Sequence, residues 1–120
     1  MKDDPMQRIA AKRLFLSAKS GEIELVTGPP VLFEVAWVMA RSYRIERNII
    51  LDMLEAITLF PGLTVLDHNL VESAIALARE TNSDYVDSYI AASAAKAQAD
   101  CVATFNEKHF ARLGCDLYSF

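Results

Sequence analysis

The sequence is poor in several things, and each shortage removes a class of protein. It has two cysteines, Cys101 and Cys115, both in strand-like apolar runs. Two are too few for a disulfide framework and show no metal-binding spacing, so reduced, buried thiols are expected. The four glycines are isolated. A nucleotide binder built on a glycine-rich phosphate loop is therefore set aside. No apolar run approaches the ~20 residues of a membrane span, and Pro61-Gly62 interrupts the longest candidate. The start, Met1-Lys2-Asp3-Asp4-Pro5, has no apolar signal-peptide core, which makes the cytoplasm the expected location. Positive charge is also short. Twelve Lys and Arg stand against 16 Asp and Glu, a net charge of −4. That disfavours attachment to nucleic acid by bulk electrostatics, but not an enzyme that grips phosphates through a metal ion.

Apolar material is plentiful. Hydrophobic residues make up 52% of the chain and charged residues only 23%, which argues for a folded core rather than disorder. At 120 residues the expectation is one domain, 1–120.

Helical and extended patterns alternate along the chain. Residues 5–19 read as an amphipathic helix, with Pro5 in the first turn and Ile9, Leu14, Phe15 and Ala18 as its apolar face. Glu22 to Thr27 alternates like a short strand, and Gly28-Pro29-Pro30 launches a strongly apolar helix from Val31 to about Tyr43. A helix from about Glu46 to Phe60, a strand from Leu63 to Leu66 and a helix from His68 to about Glu80 follow. After the loop Thr81-Asn82-Ser83, a helix from Asp84 to about Ala99 leads to a strand, Cys101 to Phe105. A helical turn near Glu107 to Leu113 and an edge strand from Asp116 to Phe120 close the chain. Strands alternating with helices imply an α/β fold with a mainly parallel sheet flanked by helices.

The most informative stretch is Asp84-Tyr85-Val86-Asp87-Ser88-Tyr89-Ile90-Ala91-Ala92, followed by Cys101-Val102-Ala103-Thr104-Phe105-Asn106. It places two carboxylates one helical turn apart at a helix start, where open α/β sheets build their sites. Oxygen donors of this kind suit a hard divalent cation.

These pieces, with Lys12-Arg13-Leu14-Phe15, the run from Pro29 to Val38 and the ending Phe110-Ala111 and Leu113-Gly114, make the chain resemble the PIN-domain family over its whole length. The resemblance is closest to the small ribonucleases that act as toxins in bacterial toxin–antitoxin pairs. It implies a Rossmann-like three-layer fold with acidic residues at the strand C-termini that bind Mg2+ or Mn2+. Carried over residue by residue, the family's glutamate is Glu34 and its aspartate before the Ile-Ala-Ala run is Asp87. A position that is often aspartate is Asn106 here, and the family's first strand, with its own aspartate, is missing from this sequence. The resemblance further implies an RNA substrate, an antitoxin protein partner and a homodimer.

Each candidate also has an ordinary use. Glu34 lies in a segment apolar on almost every side, so it is either on a narrow solvated stripe with Arg41 or partly buried beside a cation. Asp87 suits the helix dipole whatever the function. Asp84 is either an N-cap worth about 1 kcal/mol or a member of the acidic cluster. Asn106 is either a metal contact or the cap of the short helix after it. His68 and His109 are expected at the surface or at caps, and Ser88 and Thr104 in packing and strand roles. Trp37, Phe33, Tyr43 and Phe60 fall at core positions, as packing rather than base-stacking platforms. Lys12, Arg13, Lys19, Arg41, Arg44 and Arg47 read as a solvated face that could also meet a phosphate backbone.

The function these residues imply is metal-assisted phosphodiester hydrolysis. Glu34 and Asp87 are the catalytic pair, and Glu34, Asp87, Asp84 and Asn106 the candidate metal ligands. The rival is a catalytically inactive PIN-like module that binds an antitoxin or another protein partner.

Overall fold

The computed structural model describes residues 4–120. The start of the chain, Met1 to Asp3, on which the expectations of no leader and no first strand partly rest, lies outside the described residues. Elements run in the order α1 (Pro5–Lys19), β1 (Leu25–Thr27), α2 (Pro29–Arg41), α3 (Arg47–Thr58), β2 (Leu63–Val65), α4 (His68–Thr81), α5 (Tyr85–Lys96) and α6 (Glu107–Arg112).

The helices begin where local chemistry directs them. Asp4 accepts from the Met6 and Gln7 amides at 2.8 and 3.4 Å, and Pro5 occupies the first turn where a missing N–H costs nothing. Gly28 precedes α2 in extended conformation, with the two prolines in the first turn behind it. Asn82 ends α4 in the left-handed region, a conformation its short amide side chain tolerates.

β1 and β2 pair in parallel, with Leu25 opposite Leu63 and Thr27 opposite Val65. The α/β class and the parallel sense are as the sequence implies, but the sheet is smaller. Among the described residues the expected strands Cys101–Phe105 and Asp116–Phe120 contribute one parallel bridge, Val102 to Leu117, held by Val102 N–H to Asp116 O (2.8 Å) and Tyr118 N–H to Val102 O (2.9 Å). Residues 101 to 105 keep a strand's alternation of exposed and half-buried positions. With one short partner they do not extend into a ladder.

The main core lies between α2, α3, α4, β2 and α5. Leu32, Leu51, Leu54 and Val71 are its fully buried centre. On α4, Val71, Ala74, Ile75 and Ala78 form the inward stripe that the 3.6-residue period demands. A smaller cluster of Ala91, Phe110 and Leu113 seats α6 on α5.

Three expectations about burial fail. The apolar face of α1 is largely in solvent. Only Ala18 is buried there, while Ile9, Leu14 and Phe15 remain exposed. Trp37 is 59% exposed and Tyr43 is exposed too, whereas Phe33 and Phe60 are partly buried. The cause is that α2 is apolar almost all round, and Leu32 and Ala36 took its inward stripe. Glu34 is exposed, as is Arg41, which is the solvated one of its two readings. Cys101 is exposed as well; both thiols are free, and only Cys115 is half-buried. Burial, with Asp116 adding its charge, pushes the Cys115 thiol above its ordinary pKa.

Candidate functional site

The start of α5 faces α2 and α3 across a cleft of about 440 Å³. Trp37 and Arg41 come from α2, Arg47 and Ile50 from α3, and Asp84, Tyr85 and Asp87 from α5. A small hollow adjoins it, sharing Arg47, Asp84 and Asp87 and adding His109 and Arg112 from α6.

Asp84 stands at the N-cap position of α5, but its side chain caps nothing. Arg47 takes it instead. The guanidinium reaches Asp84 Oδ1 through Nε and Nη2, both at 2.9 Å, and donates through Nη1 to the Asn82 carbonyl at 2.6 Å. The first residue of α3 thereby ties down the whole approach to α5. Asp87, one turn on, is the more enclosed carboxylate, its side chain 22% exposed against 60% for Asp84. His109 Nδ1 lies 3.5 Å from Asp87 Oδ2, and the same nitrogen lies 2.9 Å from Asn106 Nδ2. The tautomer decides between them: a protonated Nδ1 donates to Asp87, and a bare one accepts from Asn106.

Asn106 therefore occupies the cap position of α6 without capping it, its amide turned to His109. Its own backbone N–H donates to Thr104 Oγ1 at 2.9 Å, so Thr104 shapes the turn. Ser88 is fully buried and donates to the Asp84 carbonyl at 2.7 Å, a packing role. His68, in the first turn of α4, pairs with Glu72 at 3.5 Å. Glu34 lies three residues before Trp37 on α2 and lines neither hollow. The structure thus brings Asp84, Asp87 and, through His109, Asn106 together, and leaves Glu34 outside the group.

Among the described residues, no three His, Cys, Asp or Glu side chains gather as a metal-holding group. Two carboxylates nevertheless meet at one cleft. Asp84 Oδ2 and Asp87 Oδ1 accept no hydrogen bond among the described residues. Magnesium needs only one or two carboxylates when a phosphate completes its shell. The donor set fits such a cation, held weakly.

Trp37, His109 and Arg112 stand at the cleft although the sequence did not place them there, and Arg47, read as a solvated or phosphate-facing cation, holds Asp84. Arg47 lies 37 positions from Asp84 with no local pattern linking them. The Asn106–His109 pair has the i,i+3 spacing of a helix turn, a signal that was available.

Tyr85 belongs to the cleft lining, yet its hydroxyl is shut from solvent with no hydrogen-bond partner among the described residues. Burial, with the neighbouring Tyr89 adding to it, pushes the phenol well above its ordinary value. Burial and Asp67 raise Tyr89 as well.

No helix among the described residues is long and apolar enough to cross a membrane. Comparison with curated proteins and with solved structures gave no match. The PIN-domain family model matches residues 2–114, nearly the whole chain. PIN domains are generally nucleases, of the hydrolase class, and typically use divalent metal ions. With an α/β fold of six helices and a small parallel sheet among the described residues, and paired aspartates opening α5, this chain belongs to the PIN-domain family.

Proposed function

We propose that this PIN domain is a Mg2+- or Mn2+-dependent endoribonuclease of the toxin type that hydrolyses RNA phosphodiester bonds. One observation carries it: Asp84 and Asp87 open together onto a cleft bordered by arginines, each with one carboxylate oxygen that accepts no hydrogen bond among the described residues. A polyanionic substrate and a divalent cation are the two things such a border accommodates.

Asp87 is the principal ligand, because it is the more enclosed of the pair and its helix start favours the anion. Asp84 is the second ligand, oriented by Arg47. Glu34 and Asn106 complete the proposed set. Glu34 joins it on the family motif rather than on proximity, and Asn106 on its hydrogen bond to His109. A cation bound here would supply the acidity that makes water nucleophilic near neutral pH and would offset charge on the phosphoryl oxygens. The chain's own groups do the remaining work. His109 sits where it can hold or release a proton beside Asp87, and Arg112 and Arg41 offer guanidinium charge to phosphates. Arg47 keeps the Asp84 carboxylate in place.

An antitoxin and a second copy of the chain are the proposed protein partners, and the exposed apolar face of α1 supports them. The decisive measurement is RNA cleavage with and without magnesium. Asp87→Asn should lower it at least ~100-fold, the scale on which removing one group from a catalytic set acts, with a smaller loss for Asp84→Asn. Wild-type protein that leaves RNA intact at millimolar magnesium and manganese would overturn the proposal.

A further inference from the structure

The cleft contains more than its carboxylates require. Trp37, the sole tryptophan, stands at the cleft with more than half its surface in water. An exposed indole offers a large flat apolar face with a polar N–H handle, a surface suited to stacking against a ligand. The Arg41 guanidinium lies over the ring, 5.9 Å from its centroid, a cation–π arrangement that constrains the indole and adds positive charge beside it. Neither Arg41 nor Arg112 of the adjoining hollow has an ion-pair partner among the described residues. Unspent positive charge therefore flanks the aspartates, against the chain's overall charge of −4.

We infer that Trp37 and Arg41 form a nucleotide subsite for single-stranded RNA beside Asp87, the indole stacking on one base and Arg41 meeting the adjoining phosphate. An aromatic face paired with a guanidinium is the combination that recognises an unpaired nucleotide, because every base has a π-face and every linkage a charge. A duplex cannot offer its bases this way. The subsite takes any base, so the specificity it confers is for strandedness rather than sequence. Its nearness to Asp87 would fix how the strand enters the cleft. This rests on the ribonuclease reading for its biological substrate, but binding is measurable without cleavage.

Trp37 is its own reporter. The protein is titrated in EDTA, following tryptophan emission, with a single-stranded RNA decamer, a duplex of equal length, an abasic decamer and inorganic polyphosphate. Saturable quenching by the single strand is expected, with the other three at least about ten-fold weaker. Trp37→Ala should weaken binding of a dye-labelled single strand about ten-fold, the scale of one stacked base, while Trp37→Phe retains most of it. Arg41→Gln should flatten the salt dependence by about one counterion. Equal binding by Trp37→Ala and wild type overturns the inference, as does equal quenching by polyphosphate or the abasic strand. An apolar peptide that quenches Trp37 while RNA does not would overturn it in favour of a protein site. RNA binding through Trp37 with no cleavage on adding magnesium supports this inference and removes only the nuclease reading. Cleavage whose KM is unchanged in Trp37→Ala and Trp37→Phe does the reverse.

Discussion

Tyr85 carries a cost that its neighbours do not relieve. Its ring is packed between Phe33 and Tyr89, with centroids 5.9 and 6.1 Å away, so the side chain is fixed by apolar and aromatic contact. Its hydroxyl has no partner among the described residues, and a buried unsatisfied polar group costs on the order of 1–3 kcal/mol. Tyr85→Phe keeps the ring and removes the cost. We expect it to raise stability by about 1 kcal/mol at pH 7, read from the urea midpoint. A loss of that size would show instead that the hydroxyl has a partner in solution. The pH dependence has a fixed sign. Because the folded phenol resists ionisation, its contribution is fully present below about pH 10 and is lost as pH rises and the unfolded chain ionises first. The advantage of the phenylalanine variant should therefore widen between pH 9 and pH 11.

At the scale of elements, the weak point is the attachment of α1. Its C-terminal end rests on the turn before β2, where a Cβ on Gly62 would stand 2.0 Å from the Ala18 carbonyl oxygen. Gly62 also has φ +82, a conformation that costs other residues about 1–2 kcal/mol. Phe15 adds an edge-to-face contact with Phe60 at 5.4 Å. Gly62→Ala should push α1 off its seat, seen as rapid proteolysis between residues 17 and 24. Gly21→Ala is the matched control, since Gly21 has φ +85 but open space around it. It should cost only the backbone penalty and leave the protease pattern unchanged. Equal cutting in both variants would remove the special role of the Gly62 contact.

The whole molecule is longer than its length requires. Its extents are 51 × 29 × 22 Å, and its radius of gyration is 16.4 Å against about 14 Å for a compact chain of this size. Met6, Ile9 and Leu16 lie exposed on α1, and Val26 on β1. A surface of that kind is what associating chains cover. If a second copy covers it, multi-angle light scattering at micromolar concentration will give twice the 13.3 kDa chain mass. The double variant Ile9→Lys, Leu16→Lys will then return the monomer. A monomeric wild type at 100 μM would set the homodimer aside and leave the face to another protein.

Local chemistry decided the elements and the family. Asp4-Pro5, Gly28-Pro29-Pro30 and Pro61-Gly62 mark boundaries through backbone constraints that act within a few residues, so the helices among the described residues lie within a few positions of where the sequence places them. The largest offset is at the end of α5, which stops at Lys96 shortly before Gln98 turns left-handed. The motif from Asp84 to Ala92 is equally local, which is why it identified a PIN domain. Tertiary structure decided the partners. A helix as uniformly apolar as α2 does not announce which stripe faces inward, so the exposure of Trp37 and Glu34 followed only from the packing of Leu32 and Ala36. Whether residues 101 to 105 form a ladder depends on a neighbour strand rather than on their own alternation. Arg47 on Asp84 and His109 on Asp87 join segments far apart in the chain, through charges whose meeting no local pattern encodes.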